Sequence, residues 1–132
     1  MPTTTSDYSK AALWTGRVLS GLAIIFLVFD TAIKFLARPE VAASMQQLGF
    51  PTELALVIGS IELACLIIYV IPATSVLGAI LFTGYLGGAI ATHLRLENPL
   101  FSHILFPTYI AALLWGGLYL RDSRVRVLLG QR

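Results

Sequence analysis

The chain has 132 residues, of which 57% are hydrophobic and only 12% charged, against roughly a quarter charged in a soluble domain. A net charge of +2, with no Lys/Arg-rich stripe interleaved with aromatics, argues against a nucleic-acid partner. The single cysteine, Cys65, excludes an internal disulfide, a CxxC redox motif and a thiolate zinc cage, and reads as a small buried apolar side chain. The expected fold class is an all-α membrane protein, one transmembrane domain over residues 1–132, with polar connections too short for a second, soluble domain.

Residues 1–12 are polar and expected to fray. The first span is placed at residues 13–37, interrupted by Arg17, Asp30 and Lys34 and ended by Arg38 and Pro39. That run is too long, and too charged at its far end, for a cleaved signal peptide. The following EVAASMQQLG puts Val41, Met45 and Leu48 on one helical face, with Gly49 closing the C-terminus. It is too short to cross a bilayer and reads as an amphipathic helix at the interface, either a packed connector or a lid.

The second span is expected at residues 52–71. Pro72 then makes a tight turn in which the Thr74 and Ser75 hydroxyls are placed to cap the third span, residues 75–93. Asn98 and Pro99 mark the next loop, and the fourth span covers residues 103–120, with Pro107 tolerated near its start. Each stretch is about 17–25 residues long, which matches ~30 Å of hydrocarbon at 1.5 Å per residue. The expected architecture is therefore a four-helix transmembrane bundle with a short interfacial helix between spans 1 and 2.

Lys10, Arg17, Arg121, Arg124, Arg126 and Arg132 flank the terminal side, and Lys34, Arg38 and Arg95 the other. That bias places both termini in the cytoplasm, with loops 38–52 and 93–103 facing outward. Trp14, Trp115 and Tyr119 fall near the cytoplasmic ends, where interfacial aromatics belong. In LFTGYLGGAIAT, Gly84 and Gly88 form a GxxxG pair, with Gly87 on the adjacent stripe of Ala79, Thr83 and Ala91. Small residues let helix backbones approach closely where lipid gives no hydrophobic drive, so the third span is expected to be the most enclosed.

Charges inside a bilayer are costly and face the bundle interior. Asp30 and Lys34 are spaced i,i+4 in the favourable acid-first order and share a face. Glu62 lies near the middle of the second span. Asp30 falls roughly 7 Å beyond the midpoint of its helix towards the outside, with Lys34 one turn further. His93 and Arg95 end the third span on that side, and His103 begins the fourth. Asp30, Lys34, Glu62, His93, Arg95 and His103 thus converge on the outer half of the membrane, as candidates for binding a polar head group, relaying protons, or acid–base steps at a quinone. The bland alternative stays open: Asp30–Lys34 an internal ion pair, Glu62 an interhelical hydrogen bonder, the histidines interface residues. No HxxxH or ExxH spacing supports a metal.

The stretches DTAIK (30–34), GSIELACLIIYVIPATSVLGAILFTGYLGGAIATHLR (59–95) and PLFSHILFPTYIAALLWGGLYLRD (99–122) resemble the DoxX-like family of small bacterial four-helix membrane proteins. The resemblance implies the four-helix fold in a bacterial inner membrane and an association with membrane oxidoreductase assemblies, the family's name coming from a subunit associated with an archaeal thiosulfate:quinone oxidoreductase. It carries over no catalytic residue, and the single cysteine leaves no thiol pair for a relay. Without a nucleophile beside a base, a phosphate loop or a dinucleotide fingerprint, no autonomous catalytic motif is present.

Three readings follow: an accessory subunit holding a quinone or similar amphiphile, a small-solute or proton-coupled transporter, and a structural assembly subunit. The second lacks an internal inverted repeat. The expected partners are the lipid bilayer and either membrane oxidoreductase subunits or further copies of the chain.

Overall fold

A computed structural model describes residues 9–36, 39–51 and 53–130, which are helical apart from short connections, with no β-strand among them. The expectations for residues 1–8, for Ala37 and Arg38 at the end of the first span, for Thr52 at the start of the second, and for Arg132 in the charge count lie outside the described residues. The helices are α1 (Lys10–Phe35), α2 (Pro39–Leu48), α3 (Leu54–Val70), α4 (Ser75–Arg95), α5 (Phe106–Arg121) and α6 (Ser123–Leu128). Three segments are long and apolar enough to cross a membrane: Lys10–Phe35, Pro72–Arg95 and Leu100–Arg121, of 26, 24 and 22 residues. Helix α3 is apolar but has 17 residues.

Helix α1 begins where Ser9 Oγ accepts the Ala12 N–H at 2.9 Å, so residues 10–12 are helical rather than frayed. Its buried residues, Gly16, Ser20, Ala23, Leu27 and Thr31, recur every three or four positions and so form one stripe. The rest of its surface is apolar and open, with Ile25 70% and Phe29 64% exposed. A soluble helix would show polar groups there; an apolar outer face is what a bilayer solvates.

Helices α1, α3, α4 and α5 pack against one another, most extensively α1 with α5 and α3 with α4. Their shared core runs through Ala23, Leu27, Leu66, Tyr69, Phe82, Leu114 and Leu118, with Cys65 buried beside it. The α1–α5 crossing is made close by glycine. A Cβ on Gly16 would come within 2.8 Å of the Gly117 carbonyl oxygen, and one on Gly117 would collide with Ser20 Oγ. Gly78 does the same for the α3–α4 hairpin, lying against the Tyr69 backbone.

These contacts correct several expectations. A Cβ on Gly84, Gly87 or Gly88 would meet nothing within 4 Å, so this stripe does not pack helix on helix within the chain. Nor is α4 the most enclosed of the long helices: 33% of the most apolar window of Leu100–Arg121 is buried, against 28% for Pro72–Arg95. Small residues mark a face that permits close approach, but do not say which face the neighbours occupy. Thr74 and Ser75 do not cap α4. Their hydroxyls donate backwards, Thr74 Oγ1 to Ile68 O and Ser75 Oγ to Tyr69 O, satisfying the carbonyl end of α3. The indole of Trp115 reaches across to α4, donating to Thr83 Oγ1 at 2.8 Å at an exposed position. The fourth apolar stretch opens with a single wide turn, Leu100–Ile104, before α5 begins at Phe106 with Pro107 in its first turn.

At the terminal end of the bundle lies a buried polar chain that the sequence did not disclose. Tyr69 Oη donates to Leu114 O at 2.8 Å, and Ser20 Oγ lies 2.9 Å from Tyr69 Oη. With the tyrosine proton so engaged, the serine donates to it. Arg121 Nε in turn donates to Ser20 Oγ at 3.2 Å. The chain ties α1, α3 and α5 together.

Candidate functional site

The charges of α1 and α3 meet at one ammonium. Lys34 Nζ donates to Asp30 Oδ2 one turn earlier, to Glu62 Oε1 at 3.0 Å and to Tyr85 Oη at 3.4 Å. Helix periodicity supplies the first contact. The second follows from Gly59, one turn before Glu62, where a Cβ would stand 3.1 Å from Lys34 Cβ. The missing side chain lets α1 and α3 close at the level of the ionic cluster.

Glu62 has no exposed surface, while the Lys34 and Asp30 side chains are 16% and 30% exposed. Its second oxygen, Oε2, is buried and has no hydrogen-bond partner among the described residues. Buried carboxylate oxygens are nearly always satisfied. Thr31 Oγ1 is the other buried side-chain atom without a partner among the described residues, and only the Glu62 oxygen belongs to the ionic cluster.

The cluster lies in a cavity of about 500 Å³. Asp30, Lys34, Glu62 and Tyr85 form a polar corner of it, and Leu27, Ile58, Leu86 and Ile110 belong to its apolar walls. Val41, Ser44, Met45 and Leu48 of α2 also line it, so the apolar face expected on this short helix covers the cavity. Two devices fix α2 at its end. Gly49 at φ 80° allows paired closing bonds, Gly49 N–H to Gln46 O and Phe50 N–H to Met45 O. Arg95 Nη2 then donates to Leu48 O at 2.8 Å.

The structure therefore divides the expected site residues. Asp30, Lys34, Glu62 and His93 line the cavity; Arg95 and His103 do not. Arg95 clamps α2 from outside. His93 Nδ1 is 2.8 Å from the Asn98 amide nitrogen, which can only donate, so in the neutral ring Nε2 carries the proton. His103 stacks edge-on against His93, ring centroids 5.6 Å apart, and Ser102 Oγ lies 2.8 Å from its Nδ1. Tyr85 was missed, and so was Ser44 of α2. Tyr85 had a signal: it is seven and eight positions before Thr92 and His93, two turns along the same helical face.

Fold and site together define the class: an all-helical membrane protein with an ionic cluster under an apolar, helix-covered cavity. The chain belongs to the DoxX-like family, whose model matches residues 18–117, a stretch that contains every cavity-lining residue named above. No curated protein and no solved structure gives a significant match.

Proposed function

We propose that this protein is a binding or accessory subunit of a membrane oxidoreductase system, holding a quinone-like or similar amphiphile in the cavity beneath α2. The observation that carries the reading is Glu62 Oε2, a wholly buried carboxylate oxygen without a partner among the described residues, beside a cavity with apolar walls. Ligand pockets of this size are mostly apolar, with a few convergent polar groups that fix orientation. In this reading the polar head meets Asp30, Lys34, Glu62 and Tyr85, and the tail lies along Leu27, Leu86 and Ile110.

The same reading makes α3 a fourth span, its 17 residues giving about 25 Å of rise, a length a bilayer meets by local thinning. The whole chain is then one four-span domain of a bacterial inner membrane. Both termini are cytoplasmic, and α2 lies at the outer interface. His93 sits at the outer end of α4 as a proton-relay candidate, with His103 beyond it.

The test is mass spectrometry of small molecules retained through purification in mild detergent, beside Glu62→Gln. A single quinone or lipid species present in the native protein and lost in the variant is expected. Bulk lipid alone, equal in both samples, overturns the reading. A second reading, an assembly subunit, draws on the open faces of Gly84 and Gly87, which suit close helix contact with a further copy or another membrane subunit.

A further inference from the structure

Resting on the reading of the cavity as an amphiphile site, we infer that it selects a head group that donates a hydrogen bond at its buried end. An alcohol, phenol or hydroquinone hydroxyl fits; a carbonyl-only counterpart does not. The selectivity follows from how the donors and acceptors of the cluster are already committed.

Lys34 is the only lysine or arginine among the described residues lining the cavity. An ammonium has three protons. Asp30 Oδ2, Glu62 Oε1 and Tyr85 Oη each accept one. No lysine N–H is left to greet a ligand oxygen. Two carboxyl groups of the cavity, Asp30 and Glu62, already share that one ammonium, so an anionic head group meets repulsion.

Two hydrogen-bonding functions of the cluster remain unmatched among the described residues. Glu62 Oε2 is a buried acceptor without a partner. Tyr85 Oη accepts from Lys34 and keeps its own proton to give. Both residues line the cavity and touch the same ammonium, Glu62 through Oε1 at 3.0 Å and Tyr85 through Oη at 3.4 Å, so they belong to one polar corner of it. A hydroxyl placed there donates to Glu62 and accepts from Tyr85, satisfying both. A ketone or quinone carbonyl can accept from Tyr85 but sets its lone pairs against those of Glu62. Sites that leave a buried polar group unpaired discriminate strongly against the ligand that lacks the matching group.

The experiment is equilibrium binding to the full chain in lipid nanodiscs under anaerobic conditions. The probes are a decyl-substituted hydroquinone, its benzoquinone, and the dimethyl ether of the hydroquinone. The hydroquinone is expected to bind at least about tenfold more tightly than either of the others, a factor that one well-placed hydrogen bond supplies. Equal affinity for hydroquinone and benzoquinone overturns the selectivity and leaves the amphiphile site standing. Binding of none of the three overturns the amphiphile site and the selectivity with it. Glu62→Gln places amide N–H donors where only an acceptor stood, so the preference should narrow or invert; a variant that keeps the full hydroquinone preference overturns the inference. Tyr85→Phe, which removes one oxygen, is the control should Glu62→Gln fold poorly. It should weaken hydroquinone and benzoquinone together while the hydroquinone stays favoured, and loss of the preference in Tyr85→Phe alone overturns the assignment to Glu62.

Discussion

Lys34 Nζ stands 3.0 Å from Glu62 Oε1, joining the end of α1 to the middle of α3 through a carboxylate with no exposed surface. The contact crosses between elements in a medium where neither partner reaches water easily, and Asp30 shares the same ammonium. Breaking a buried ion pair from one side costs far more than removing it whole, because the remaining charge is left uncompensated.

Lys34→Met should accordingly destabilise the protein by about 3–5 kcal/mol, read from denaturant or SDS unfolding in mixed micelles. Combining Lys34→Met with Asp30→Asn and Glu62→Gln removes all three charges and should recover most of that loss. A triple variant no more stable than Lys34→Met alone would show that the cost lies in packing rather than charge.

Asp30, Lys34 and Glu62 were legible in the sequence because a charge within an apolar run is rare and expensive. Their meeting was half legible: the i,i+4 spacing announces Asp30–Lys34, but nothing local says that Gly59 lets α3 bring Glu62 to the same nitrogen. Tyr85 was harder to see, because an aromatic in an apolar run reads alike whether it faces lipid or a cavity, and only its two-turn spacing from His93 pointed to the site. Arg95 and His103 were grouped with the site on depth alone, and depth leaves the direction around the helix open. The same ambiguity explains Gly84 and Gly88. Their spacing marks a smooth face, but the close α1–α5 crossing belongs to Gly16 and Gly117, which lie in different helices and form no motif in the sequence.

That contrast gives a second prediction. Gly117→Leu drives a side chain into Ser20 and the Gly16 carbonyl, both part of the α1 backbone stripe, so relief requires helix displacement. It should cost at least about 1–3 kcal/mol and is expected to abolish a cooperative melt. Gly84→Leu enters open space and should leave the melting temperature of the isolated chain nearly unchanged. Were Gly84→Leu instead to shift the particle mass in detergent, the open stripe would be an assembly surface.

Arg95 offers a test of the α2 cover apart from the ionic cluster. Its guanidinium reaches the Leu48 carbonyl from outside the cavity, replacing one of the partners that a helix end otherwise lacks. Arg95→Ala should leave global stability within about 1 kcal/mol while speeding hydrogen exchange in residues 39–50, and retained small molecules should wash out faster. Unchanged exchange there would mean that the glycine turn holds α2 by itself.

The last prediction concerns pH at the opposite end. Asp122 caps α6 by accepting from the Arg124 N–H at 2.9 Å, and its carboxylate also receives the Arg124 guanidinium, Nη2 to Oδ2 at 2.7 Å. The same guanidinium donates to Pro72 O and Ala73 O, so α6 is clasped to the α3–α4 turn. The hydrogen bonds from Arg124 hold the Asp122 carboxyl below its ordinary range. A carboxyl whose folded value is depressed stabilises the fold above its unfolded value, and that contribution fades as pH falls through the folded one. The clasp should therefore be intact at neutral pH and loosen only on acidification below the usual aspartate range. Because the Arg124 side chain is half exposed, the gain is small, at most about 1 kcal/mol. Asp122→Asn should mimic the acid state at neutral pH, speeding tryptic cleavage after Arg124 and Arg126 while the core melt hardly moves. Cleavage rates equal in the native and variant proteins would mean that the Pro72 and Ala73 carbonyls hold Arg124 unaided.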